Sequence, residues 1–308
     1  MIESVNTSLT TSSTVFWVSQ GLVSSNFIVK FYYFIHLISY GNRTGKLKAA
    51  NSQSFKLMIL AILSVALSIL YTIYVQIELM FTLNMYIFIL VPNGCSILRS
   101  SDVFIFYISS DFPLLYFWYR QWVLYSQPGL KQFYSKTMNV INVVAVLQII
   151  LPGLFLSLLY FATVTQKLTA SGCVRYDSTI QLRRLMLFWL DSGLYSHLLL
   201  FGLFLYPILR HYHQQGQSSV VVPVSDIVNK TIYRSLLSIF CYIVASSCLR
   251  GTISLLQSNS VAYFVNAIWD ISAVFSCIAI AYSYDNRKSA FFGSCKRLLS
   301  DKRSFSVT

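Results

Sequence analysis

The sequence predicts an all-α integral membrane protein: one domain, residues 1–308, built as a seven-transmembrane-helix bundle with a short amphipathic helix at its C-terminus. Two observations carry that expectation. The 308-residue chain is 56% hydrophobic and 16% aromatic, but only 11% of it is charged. A soluble domain carries about 25% charged residues, so this chain has too little polar surface to cover a soluble core. The apolar residues also fall into runs of roughly 20 to 28, the length a helix needs to cross about 30 Å of hydrocarbon.

The runs divide as follows. The first span is Val15 to Tyr40, the least apolar of the set, with Asn26 and Lys30 inside it. The second is Phe55 to Ile77, the third Cys95 to Tyr125 and the fourth Met138 to Thr163. The fifth is Ile180 to His211, the sixth Thr231 to Gln257 and the seventh Val261 to Tyr284. Residues 1–14 then form an outer N-terminus, 15–284 the bundle and 285–308 a cytoplasmic helix and tail. The connections are short, with Gln166–Thr179 read as a loop holding a cysteine.

Orientation follows from the lysine and arginine bias. Placing the first, third and fifth connections and the C-terminus on one side gathers 16 of the 23 basic residues there, from Arg43 to Arg303. That side is expected to be cytoplasmic, with the N-terminus outside, as in a multi-pass plasma-membrane protein. An anionic inner leaflet then accounts for the net charge of +13, and no nucleic-acid partner is needed. The opening segment "MIESVNTSLTTSS" lacks the basic start and apolar core of a cleavable signal. It does carry a glycosylation sequon at Asn6.

Cys95 at the outer start of span three and Cys173 in the outer loop both face the oxidising side, where a disulfide persists. A bridge would tie that loop to the top of span three. The alternative is two unpaired cysteines. Cys241, Cys248 and Cys277 read as small apolar fillers inside spans.

Twenty-five residues separate Cys95 from Arg120, about seven helical turns. This pairing, with the run "FWYRQWVLYSQPGLKQF" that follows, resembles the rhodopsin-like G-protein-coupled receptors and the variant motifs of invertebrate seven-helix chemoreceptors. In that family an Asp/Glu-Arg-Tyr motif closes the third span, and a short proline-containing loop follows. Here the corresponding residues are Tyr119, Arg120 and Pro128, with Tyr119 in the acid's place. The seventh-span Asn-Pro-x-x-Tyr motif is absent and span six has no proline. The resemblance implies a receptor with a heterotrimeric G protein as partner, coupling through Tyr119, Arg120, Pro128, Arg210 and Arg234. The alternative for Arg120 is a plain positive-inside anchor. It also implies a short lipid-anchored helix after span seven. Phe291/Phe292 and Leu298/Leu299 lie seven apart on one face among basic residues, and Cys295 is the candidate acylation site.

Ionisable residues inside the bilayer are costly, and are usually functional or paired. Arg99 and Asp102 lie three apart on one face: Asp102 either binds a ligand ammonium or is neutralised by Arg99. Arg184, Trp189 and Asp191 in span five, with Trp269 and Asp270 in span seven, complete a candidate cavity for an extracellular small ligand or peptide. A transporter or channel using Asp102, Asp111, Asp191 and Asp270 is the competing expectation, although no internal repeat marks the chain as a transporter. Span seven has no lysine for a retinal Schiff base. No metal-ligand cluster, phosphate loop or nucleophile motif is present, so neither a cofactor nor an enzymatic activity is expected.

The topology is directly testable. Asn6 should carry glycan, whereas the sequons at Asn42 and Asn229 on the expected inside should not. Glycosidase mapping of single-sequon variants reads this out, and glycan on Asn229 would reverse the orientation.

Overall fold

The computed structural model describes residues 2–48, 52–83, 94–126, 135–163, 166–169, 172–175, 193–206, 209–210, 236–244 and 262–284. Helix α1 is Ile2–Arg43, α2 Gln53–Leu83, α3 Gly94–Tyr125 and α4 Lys136–Thr163. A two-stranded antiparallel hairpin follows, β1 Gln166–Thr169 and β2 Gly172–Arg175, with Leu168 opposite Cys173. Next come helical segments α5, Gly193–Tyr206, and α6, residues 236–244. Helix α7, Ala262–Tyr284, is the last described element. Among the described residues, four helical stretches are both long and apolar enough to cross a membrane: Thr14–Arg43, Gln53–Met80, Lys136–Ala162 and Asn266–Tyr284.

Helices α3, α4 and α7 match their expected spans to within two residues at either end. The first two helices run longer than expected. Helix α1 continues through the polar opening segment, where no glycine or proline interrupts it, and at 42 residues it is about 63 Å long. Helix α2 reaches Leu83, six residues past the expected end. The hairpin occupies a segment where the sequence suggests only a loop.

The bundle is built inside out relative to a soluble protein. Leu147, Leu151, Phe155, Leu158 and Phe161 of α4 are exposed, as are Trp17, Ile28 and Ile35 of α1. Lys30, Asp102, Gln121 and Asp270 are buried. This is the arrangement expected where lipid is the solvent: apolar faces point out, and polar groups find protein partners inside.

Contacts between the helices set their directions. Ser126, just after α3, bonds Gln53 at the start of α2. Tyr40 near the end of α1 packs on Tyr284 at the end of α7. Tyr125 packs with Met138 of α4 and donates to the Leu203 carbonyl of α5. These residues mark one end of the bundle, called the inner end below. The β hairpin follows the opposite end of α4 and lies against α2 and α3. The main apolar core joins Leu37 of α1, Met58 and Val65 of α2, Phe117 of α3, Ile149 of α4, Phe204 of α5, Ile239 of α6 and Ile280 of α7.

Helices α3 and α4 approach closely where Gly153 faces Asp111. A Cβ at Gly153 would sit 2.6 Å from Asp111 Oδ2 and 3.5 Å from Tyr107 Cβ. Asp111 is half-buried, and its carboxylate would have to turn away from α4 to admit a methyl group. Gly153→Ala should therefore push the two helices apart and lower stability by about 1–3 kcal/mol, as overpacking does. Thermal unfolding in detergent measures it, and an unchanged midpoint would show that the contact yields freely.

Candidate functional site

The polar groups buried in the bundle form three levels along α7. The middle level is an ion pair. Lys30 of α1 and Asp270 of α7 are both 0% exposed, and the lysine Nζ donates to Asp270 Oδ1. Nζ also donates to Thr72 Oγ1 of α2 at 2.8 Å and to the Ser68 carbonyl at 3.4 Å. Thr72 Oγ1 stands 2.8 Å from the same carboxylate oxygen. The ammonium thus has acceptors for all three of its protons, and one ion pair joins three helices. Asp270 Oδ2 has no hydrogen-bond partner among the described residues.

One turn outward on α7, the Asn266 amide bridges two acids. Its Nδ2 donates to Glu78 Oε2 of α2 at 2.7 Å and to Asp102 Oδ2 of α3 at 3.3 Å. Trp269, beside them, packs edge-on against Phe106 of α3 with ring centroids 4.9 Å apart. Between α1 and α2, in partly buried surroundings, Gln20 donates to Gln76 at 2.7 Å and Gln76 donates to Ser24 at 3.0 Å.

The inner level is built on Arg120, 8% exposed. Its Nη1 donates to the Tyr116 hydroxyl at 2.8 Å and to Ser283 Oγ at 2.7 Å. Its Nη2 donates to the Ser283 carbonyl at 2.7 Å. The Tyr116 and Ser283 hydroxyls also bond one another. Ser283 lies in the last described turn of α7. The Tyr284 ring lies 5.8 Å from the guanidinium, within cation–π range. Arg120 thus clasps α3 to the end of α7 and does not reach outward.

Of the residues singled out from sequence, the fold brings Asp102, Trp269 and Asp270 to α7 but turns them to different neighbours. Asp102 and Trp269 serve the outer level, while Asp270 faces α1 and α2. Tyr119 points away from the clasp and stacks on Trp122 at 5.7 Å. Arg210 donates to the Tyr206 hydroxyl at 2.9 Å on an exposed face. Asp111 lies against Gly153 of α4. The side chains of Asn6, Cys95, Arg99 and Cys173, and the whole of Pro128, Arg184, Trp189, Asp191, Arg234 and Cys295, lie outside the described residues. The hairpin bearing Cys173 does lie against α3, whose first turn carries Cys95.

Sequence reasoning missed Lys30, Thr72, Glu78, Asn266, Tyr116 and Ser283. For Lys30 a signal existed. It stands 13 residues before the end of α1, and Asp270 stands 14 before the end of α7. Opposite charges at equal depth on two helices running the same way are natural partners.

Compared with known proteins, the chain matches no family model and no curated protein.

Removing one member of a buried ion pair leaves the other charge uncompensated, at a cost of about 3–5 kcal/mol, whereas replacing both by apolar residues is often neutral. Lys30→Met and Asp270→Asn should each sharply lower the yield of folded protein, and K30M/D270L should recover it. Monodisperse yield and thermal midpoint in detergent report the outcome. A double variant no better than either single would show that the two charges act independently.

Proposed function

We propose that this chain is a seven-helix receptor of the plasma membrane, with its N-terminus outside, that passes an extracellular chemosensory signal to a heterotrimeric G protein. The observation that carries the reading is the Arg120 clasp. A guanidinium at the inner end of α3 is held inside the bundle by the terminal residues of α7. Its acceptors Tyr116, Ser283 Oγ and the Ser283 carbonyl are neutral, so water or an incoming partner's carbonyls can replace them. Releasing the clasp exposes a rigid, permanently charged fork with five N–H donors at the face where a cytoplasmic partner docks. Clasped and released bundles are then two states, and a ligand that favours one of them shifts the population by its difference in affinity.

The outer level offers the ligand end of such a device. Asp102 and Glu78 bring acidity to the space between α2, α3 and α7, and Trp269 and Phe106 supply apolar walls. A small ligand or peptide contacting these groups bears directly on α7, the helix that also holds Arg120. Arg99, Arg184, Trp189 and Asp191, expected from the sequence to join such a cavity, lie outside the described side chains.

A transporter or channel is the second reading, favoured by one observation: Glu78, Asp102 and Asp270 place three acids within two turns of one another around α7. Against it, the Lys30 ammonium already fills the Asp270 position, and Asp111 turns away to α4.

Recruitment of labelled Gα subunits, normalised to surface protein, tests the proposal. Arg120→Ala should lose most recruitment at near-normal surface level, and Arg120→Lys should rescue poorly, because an ammonium cannot reproduce the planar fork. Ser283→Ala, which loosens the clasp while keeping the guanidinium, should raise basal recruitment several-fold, given about 1 kcal/mol for a hydrogen bond to a charged group. Equal recruitment in all four proteins would remove the coupling role of Arg120. A ligand-gated current without recruitment would favour the channel.

A further inference from the structure

Between α3 and α4, away from the inner end, lies a hollow of about 180 Å³ lined by Ser100, Ser101, Phe104, Ser157, Leu158 and Phe161. Its two sides differ in kind. Phe104, Leu158 and Phe161 are exposed toward lipid, whereas Ser100 and Ser157 are each only 5% exposed. None of the six residues is charged. Three short hydroxyl side chains thus face one another behind an apolar mouth.

The hydroxyls are not equivalent. Ser157 donates its proton to the Gly153 carbonyl of its own helix at 2.8 Å, so toward the hollow its oxygen can only accept. Ser100 and Ser101 bond no described residue, although the backbone carbonyls four positions back, at Ser96 and Ile97, belong to the described helix. Ser100 is therefore a buried hydroxyl, facing the hollow, whose hydrogen bonds the bundle does not supply, and such a group calls for a partner. An occupant that suits all three serines accepts from Ser100 or Ser101 and donates to Ser157. One hydroxyl does both. A carbonyl or ether oxygen only accepts, and a hydrocarbon does neither.

Depth and volume narrow the occupant further. Ser157 stands five residues before the end of the apolar stretch Lys136–Ala162, about 8 Å inside it. An ionic headgroup drawn to that depth would lose its hydration and meet no opposite charge. A cavity of about 150 Å³ takes one benzene, so this hollow takes roughly six to eight heavy atoms and not the fused rings of a sterol.

We propose that this hollow binds a small alcohol dissolved in the membrane, entering from the lipid side between α3 and α4. Its hydroxyl lies among the three serines, and its hydrocarbon chain leaves past Phe104, Leu158 and Phe161. The site is separate from the space between α2, α3 and α7, and it stands whether or not the chain is a receptor.

Photolabelling of the full-length protein in phosphatidylcholine nanodiscs tests it, with an octanol carrying a diazirine on its chain and mass spectrometry to map the labelled residues. Label should concentrate on residues 97–104 and 157–161. At equal concentration in the bilayer, 1-octanol should displace it roughly 5-fold better than heptyl methyl ether, the value of one donated hydrogen bond, and octane should do no better than the ether. Ser157→Ala should remove that preference for the alcohol, and Ser101→Leu, which fills the hollow, should remove the label. Thermal midpoints show whether the variants fold, and the competition on wild type decides the question even if one does not. Label spread over the lipid-facing sides of α1 and α4 in proportion to their exposure, or displaced equally by alcohol and ether, would overturn the site. So would label in Ser101→Leu at the wild-type level. Displacement by cholesterol as effective as that by octanol would make the occupant a membrane sterol and overturn the small alcohol.

Discussion

The arrangement of this bundle depends on the burial of one ammonium. Lys30 sits at full burial in the middle of α1, where hydrocarbon offers nothing to hydrogen-bond and an isolated charge is costly. Only a carboxylate at the same depth relieves that cost, and Asp270 supplies it. The requirement is strongly directional. It brings α7 against α1 and α2, sets the rotation of all three helices, and uses Thr72 and the Ser68 carbonyl for the remaining protons. Apolar packing alone does not impose this, because the lipid-facing sides of these helices are as greasy as the sides that touch.

With α7 fixed in that way, its other polar residues fall into place. Asn266 lies one turn away on nearly the same side and meets acids from both α2 and α3. Ser283 is 13 residues beyond Asp270, about 20 Å further along and around on another face, so it meets Arg120 of α3. Helix α7 is gripped by α1 and α2 at its middle and by α3 at its inner end. Asn266, Asp270 and Ser283 thus lie on one continuous helix, and the proposed coupling of the two ends rests on that continuity.

The sequence made some of this legible and concealed the rest. Three spans were readable almost to the residue because sharp polar boundaries flank them: Pro92-Asn93 before α3, Ser135 before α4 with Lys136 opening it, and Asp285 after α7. The ends of α1 and α2 were not, since neither "MIESVNTSLTTSS" nor "ELMFTL" contains a residue that stops a helix. The hairpin strands are four residues each, too short for a period of two to register. Asp270 was grouped with Trp269 as cavity lining because they are neighbours in sequence. Neighbours on a helix point about 100° apart, and here that rotation separates the outer polar level from the ion pair. The partners of Arg120 were invisible for a different reason. They are a tyrosine, a serine and a carbonyl, and among 21 tyrosines nothing in composition marks Tyr116.

The three seams that meet at the inner half of the bundle differ in kind, and the difference gives them an order. Helix α7 is held to α1 by opposite charges away from water, a contact whose rupture strands both ions. It is held to α3 by a guanidinium on neutral acceptors, which exchange readily for water or for another carbonyl. Helix α6 meets α3 through the Phe117 and Tyr242 rings, a contact with no charge in it. A load that moves the bundle works first on the contacts without an ion pair, because they strand no buried charge when they part. It leaves the first intact, because nothing in lipid replaces Asp270. The ion pair between α1 and α7 is in this sense the fixed frame against which the other two seams work.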